Sequence, residues 1–232
     1  MSDPEKMDFA DVFASGAHEI KNEMFLLLNA LDEISHESWA KAYPAALALD
    51  RIKAGSTHIS RRLTHLLALY RMGSGSYGPD IGYNSLAEML EEVAIEIRSS
   101  LGARLDDTAV VISIEPSDDL YAFFDYEIVR SILLNALHNA LRAGARKISL
   151  GAAKEADFVC IRVEDNGPGF PPEMLKSNAE VQGMNISKGS TGLGLLFSRK
   201  AAGLHNSQGK RGFLRLQNGG LLGGAVFTLC LP

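Results

Sequence analysis

Four short segments carry residues able to do chemistry together. In Phe13-Ala14-Ser15-Gly16-Ala17-His18-Glu19-Ile20-Lys21-Asn22 an imidazole stands beside a carboxylate. Apolar or small residues recur through this region at Phe9, Phe13, Gly16, Ile20, Met24, Leu27, Leu31 and Ile34, the stripe of an amphipathic helix. His18 lies two positions from both Gly16 and Ile20. Two residues turn a helix by about 200°, so the imidazole faces away from the stripe. A neutral ring nitrogen is a competent nucleophile near neutral pH. Glu19 can hold the other ring nitrogen or accept its proton, and Asn22 follows one turn later on the same face.

The second segment, Asn135-Ala136-Leu137-His138-Asn139-Ala140, puts two carboxamides one helical turn apart. An Asn oxygen suits Mg²⁺, which also keeps waters and phosphate oxygens. Arg142 sits three residues further on, within reach of a phosphate. The third segment is Asp165-Asn166-Gly167-Pro168-Gly169. A carboxylate there can accept a hydrogen bond from the amino group of adenine, which would select ATP over GTP. Gly167 and Gly169 let backbone approach the base with no Cβ in the way. The fourth, Gly189-Ser190-Thr191-Gly192-Leu193-Gly194-Leu195, leads into a helix. Backbone N–H groups at such a start favour phosphate, and Lys188 adds a positive charge.

Together and in this order, the segments resemble the H box, asparagine box and two glycine boxes of the sensor histidine kinase family. That family belongs to the ATPase superfamily that includes gyrase, Hsp90 and MutL. The resemblance covers nearly the whole chain. It implies His18, Glu19 and Asn22 as the catalytic group, with Asn22 positioning water for dephosphorylation of a partner. It also implies Asn139 as the Mg²⁺ ligand and Asn135 as support for the nucleotide. Asn135, Asn139, Arg142, Asp165, Gly167, Gly169, Lys188, Gly192 and Gly194 would then hold ATP. Residues 170–188 would form a lid over it. This lid is short and lacks the family's paired-phenylalanine box, and Glu23 stands where many members have proline.

Elements must position these groups. Residues 8–38 read as one helix. A second stripe at Leu49, Ile52, Ile59, Leu63, Leu66 and Tyr70 reads as another, with Pro44 in its first turn. One helical hairpin cannot enclose a core, so a homodimer through residues 8–72, as a four-helix bundle, is expected. Gly73-Ser74-Gly75-Ser76-Tyr77-Gly78-Pro79 opens a linker by composition. The expected domains are therefore 1–72, a dimerisation and histidine-phosphotransfer hairpin; 73–84, linker; and 85–232, the catalytic ATP-binding domain. In the last, helices are expected over 85–101, 126–143 (Asp125 as N-cap) and 192–204. Strands are expected over 109–115, 147–150, 158–164, 213–217 and 225–231. The overall class is α+β: the hairpin, then an α/β sandwich with one mostly antiparallel sheet covered on one face by three helices.

Composition narrows the setting. The chain has 232 residues, a net charge of −5 and 46% hydrophobic residues, which excludes a basic nucleic-acid binder. There is no apolar run long enough to span a membrane and no signal-peptide pattern, so a cytoplasmic protein is expected. Cys160 and Cys230 sit in apolar, strand-like runs and read as buried, reduced thiols. The expected activity is autophosphorylation of His18 from Mg-ATP, followed by transfer to an aspartate of a response regulator receiver domain, with phosphatase action on that receiver a further role. Little chain precedes His18, so either a separate sensor or regulatory protein is an expected partner or the kinase is constitutive. Three rival readings remain at this level: a phosphotransfer relay with an inactive ATPase-like domain, an anti-sigma-type serine kinase, and a dimerisation adaptor.

Overall fold

The computed structural model describes residues 20, 22, 24–29, 31–32, 34, 43–101, 110–114, 120–176 and 193–232. The chain divides into two compact units, residues 1–77 and 78–232. In the first, the described residues between 20 and 34 are helical, and helix α1 spans Tyr43–Gly73 with Pro44 near its start. Lys53 Nζ donates to Asp32 Oδ1 at 2.7 Å, tying α1 to the preceding helical residues. Leu31 is buried, whereas Ile20, Leu27, Ile34, Ile52, Ile59 and Leu66 are exposed although they belong to the apolar stripes. His65 is buried, and burial, helped by the Arg61 charge, pushes its pKa down to about 4.

The second unit is the α/β sandwich. In chain order it contains β1 (Ile81–Ser85), α2 (Leu86–Leu101), β2 (Val111–Ile114), β3 (Tyr121–Asp125), α3 (Tyr126–Arg142), β4 (Lys147–Glu155), β5 (Phe158–Asp165), α4 (Pro172–Lys176), α5 (Leu193–Ala202), β6 (Asn206–Ser207), β7 (Lys210–Arg211), β8 (Phe213–Asn218) and β9 (Ala225–Leu231). The main sheet has the order β2-β4-β5-β9-β8, with β2 parallel to β4 and the other neighbours antiparallel. β1 and β3 form a separate antiparallel ribbon.

Periodicity explains the helices. α2 buries Leu86, Met89, Leu90, Val93, Ala94 and Ile97, a 3–4 spacing that makes one continuous face. α3 buries Ile128, Val129, Ile132, Leu133, Ala136, Leu137 and Ala140. These side chains meet the sheet through alternate residues: Ile148 and Leu150 of β4, Ile161 and Val163 of β5, and Leu229 and Leu231 of β9, all essentially buried. Full burial of each such side chain is worth about 1.5–3 kcal/mol. On the outer side Arg130 pairs with Glu96, joining α3 to α2.

Two expectations need correction. Residues 81–84, expected as linker, and Ser85, expected as helix, form a strand, because β1 finds a complete antiparallel partner in β3, from Ile81 opposite Asp125 to Ser85 opposite Tyr121. Cys160 and Cys230 are buried as expected but are not free thiols. The β5–β9 register sets them directly opposite, and a disulfide joins them.

Candidate functional site

The site is built where β5 ends. Asp165 is the last residue of that strand and is 5% exposed. Its Oδ1 accepts from Gly167 N at 2.7 Å and from Ala225 N at 3.2 Å, and its carbonyl accepts from Gly224 N at 2.9 Å. The carboxylate is thus held by the turn that follows it and by the start of β9. Gly224 is required by this closeness: a Cβ there would lie 2.4 Å from the Asp165 carbonyl oxygen. Glu164, facing the other way, accepts from Leu221 N at 2.9 Å and anchors the same β8–β9 turn.

Asn166 fastens the loop to the start of β4. Its Oδ1 accepts from both Arg146 N and Lys147 N at 2.8 Å. Gly169 adopts φ +82°, a left-handed conformation that favours glycine. Asn218, at the end of β8, then grips the next residue. Its Oδ1 accepts from Phe170 N at 2.7 Å and its Nδ2 donates to Phe170 O at 2.9 Å. The sequence reading missed Asn218. Its one local signal, Asn before Gly-Gly, reads equally well as an ordinary turn.

α3 supplies the second wall. Asp125 caps it, accepting from Ile128 N at 2.9 Å. Asn139 and Arg142 are exposed on α3, while Asn135, one turn earlier, is buried. Asn135 Nδ2 donates to Ser198 Oγ at 3.2 Å, and Ser198 Oγ donates to Gly194 O at 2.9 Å. A Cβ on Gly194 would lie 2.3 Å from Asn135 Oδ1. Asn135 and Gly194 therefore meet each other in the α3–α5 contact, which gives both residues a packing role. The junction is buttressed by His205: its Nε2 accepts from Asp125 N at 3.1 Å and its Nδ1 contacts Ala201 O at 3.2 Å. These bonds require a neutral ring protonated on Nδ1, and burial lowers its pKa accordingly.

The structure therefore gathers Asp165, Gly167 and Gly169 into one loop and joins that loop to the start of β4. It joins Asn135 to Gly194 separately, across the α3–α5 contact. Asn22 is helical and exposed. His18, Glu19, Lys188 and Gly192 lie outside the described residues, as does the lid beyond Lys176. The arrangement offers a buried carboxylate beside glycine backbone, with a carboxamide and a guanidinium on the neighbouring helix. A purine with a metal-bound polyphosphate matches that donor and acceptor set. Asn139 has the hard oxygen suited to Mg²⁺.

Comparison with known proteins agrees with this geometry. Residues 124–232 match the family described as "Histidine kinase-, DNA gyrase B-, and HSP90-like ATPase". The chain is 34% identical over 149 residues to the signal transduction histidine-protein kinase AfsQ2 of Streptomyces coelicolor, covering 61% of this chain and 26% of that one. It is 27% identical over 212 residues to the sensory histidine kinase/phosphatase NtrB of Escherichia coli O157:H7, covering 85% and 57%. Among solved structures, the ATP-binding domain of PrrB from Mycobacterium tuberculosis is similar, with 26% identity, a TM-score of 0.50, and coverage of 66% of this chain and 97% of that one. Full-length ShkA in complex with AMPPNP shares the fold over 96% of this chain and 45% of that one, with 19% identity and a TM-score of 0.63. The chain spans about a quarter to somewhat over half the length of these curated relatives. Residues 124–232 thus form a histidine kinase-, DNA gyrase B- and HSP90-like ATPase domain, and the chain around it is similar to histidine kinases.

Proposed function

We propose that this chain binds Mg-ATP through the Asp165 loop and α3, autophosphorylates His18, and passes the phosphoryl group to an aspartate of a response regulator receiver domain. The observation that carries the reading is the fixed carboxylate of Asp165. Every donor described for its side chain converges on Oδ1. Oδ2 is then the oxygen for the adenine amino group, and Gly167 N–H holds Oδ1 in place. Asn139 holds Mg²⁺, and Arg142 and Lys188 meet phosphate oxygens. The glycines from Gly189 to Gly192 give the phosphates close backbone N–H groups.

Phosphoryl transfer needs positioning and charge neutralisation more than covalent participation by the protein. A neutral His18 nitrogen attacks the γ-phosphorus, the bond to the bridging oxygen breaks, and ADP leaves with the negative charge. Glu19 holds the second ring nitrogen and accepts its proton as the imidazole is phosphorylated. Asn22 orients water when the phosphorylated receiver is hydrolysed. The exposed stripe of Ile20, Leu27, Ile34, Ile52, Ile59 and Leu66 is buried in a homodimeric four-helix bundle. The glycine- and serine-rich linker lets the ATP-binding domain reach His18, in the same chain or the partner. The protein works in the cytoplasm.

The direct test of the pocket is calorimetry with ATP and GTP in the presence of Mg²⁺. Selective binding of ATP, lost in Asp165→Ala, supports the reading. Equal binding of the two nucleotides, or none, overturns it. Transfer is tested by adding purified receiver domains to the labelled protein and following loss of label.

A further inference from the structure

The main sheet has two unlike faces. Strand alternation puts Ile161 and Val163 of β5 with Phe227 and Leu229 of β9 on the helix side. Cys160, Arg162 and Glu164 share the opposite face with Thr228 and Cys230. On that face one row runs Arg162–Thr228–Arg215 across β5, β9 and β8, and the adjacent row runs Cys160–Cys230–Phe213. The Phe158 and Phe213 rings pack edge to face beside it, with centroids 5.2 Å apart. A carboxylate oxygen of Glu155 and both sulfurs lie within 4.8 Å of one another. Its charge is countered by Arg215 at 2.8 Å and Arg162 at 3.3 Å. These three polar side chains reach solvent, at 36%, 36% and 44% exposure.

Two buried donors of the row beside the disulfide's on this face have no hydrogen-bond partner among the described residues: Thr228 Oγ1 and Arg215 Nε. Thr228 itself is 1% exposed. Leaving a buried donor unsatisfied costs about 1–3 kcal/mol. Thr228 is two residues from Cys230 on the same face of β9, and Arg215 is its cross-strand partner. A disulfide sulfur accepts hydrogen bonds poorly, whereas a thiolate carries a full charge for both donors.

We propose that Cys160–Cys230 is a reversible thiol–disulfide exchange site, whose partners are small dithiols and low-molecular-weight disulfides, with Thr228 and Arg215 receiving the Cys230 sulfur as thiolate. Reduction begins when a thiolate of a dithiol attacks Sγ of Cys160, a residue 3% exposed against 0% for Cys230. The Cys160–Cys230 bond breaks and its electron pair stays on Cys230 Sγ. The second thiolate of the reagent attacks its own sulfur in the mixed disulfide, closing a cyclic disulfide and releasing Cys160. The protein gains two electrons and two protons, and the dithiol loses the same. The reverse reaction consumes a small disulfide and yields two small thiols. Cys160 and Asp165 occupy opposite faces of β5, so the exchange is separate from the proposed nucleotide chemistry.

The test uses the native full chain, treated with dithiothreitol, quenched with iodoacetamide and weighed by intact mass spectrometry. Alkylation of both cysteines after dithiothreitol, and of neither once the reduced protein has met glutathione disulfide, is the expected result. Thr228→Val should slow native reduction about tenfold, and Thr228→Ser should keep the wild-type rate. Alkylation that needs denaturant overturns the proposal, as do thiols that stay reactive after glutathione disulfide or a wild-type rate in Thr228→Val. Should Thr228→Val fail to fold, the wild-type alkylation pattern decides.

Discussion

Asp165 uses one oxygen for the fold and has the other to offer a base. Asp165→Asn keeps an acceptor for Gly167 N and Ala225 N but turns an amide donor towards the adenine amino group. ATP affinity should fall roughly tenfold to hundredfold by calorimetry, with the melting temperature nearly unchanged. Asn218→Ala, by contrast, removes both bonds to Phe170. It should cost about 1–3 kcal/mol in denaturant unfolding and weaken nucleotide binding as the loop loosens. His205 gives a pH signature. Its folded pKa lies below the unfolded value of 6.5, so the unfolded chain takes up the proton first. The stabilisation it provides is present above about pH 6.5 and lost as pH falls towards the folded pKa. His65 acts in the same direction. Unfolding free energy should therefore drop between pH 7.5 and 5.5, and less steeply in His205→Gln.

The helices of the second unit were legible element by element, because α2 and α3 each bury one uninterrupted stripe and Asp125 marks the start of α3. The ribbon strand β1 was not. Ile-Gly-Tyr-Asn-Ser is short, carries glycine and asparagine, and exposes Ile81 and Tyr83, so local pattern says linker until β3 pairs with it. The cysteine pairing was equally hidden, because register between β5 and β9 is set by the whole sheet and not by either strand alone. Gly194 looked like a phosphate residue from its place in a glycine-rich run; its contact with Asn135 adds a packing reason that needs the α3–α5 geometry. Gly194→Ala should destabilise the chain by about 1–3 kcal/mol through overpacking. Asn135→Ser in the same chain should restore part of that stability, as measured by chemical denaturation.

At the scale of the molecule, the two units divide the work. The second has a well-filled core and an assembled loop, and no helix among the described residues is long and apolar enough to cross a membrane. The first leaves apolar side chains in water, which a bundle of two chains would cover. Light scattering should give about twice the 25.1 kDa chain mass, and Ile59→Glu with Leu66→Glu should shift it towards one. The order of the four segments was the most informative feature of the sequence: residues 124–232, which hold the last three, match the ATPase family. The central claim is phosphoryl transfer to His18. Incubation of the wild-type chain and His18→Gln with γ-labelled ATP and Mg²⁺ tests it most directly. The account predicts label on the wild type that is labile in acid and stable in base, and none on His18→Gln, which still binds ATP. Equal labelling of the two proteins, or label with the opposite stability, would contradict it.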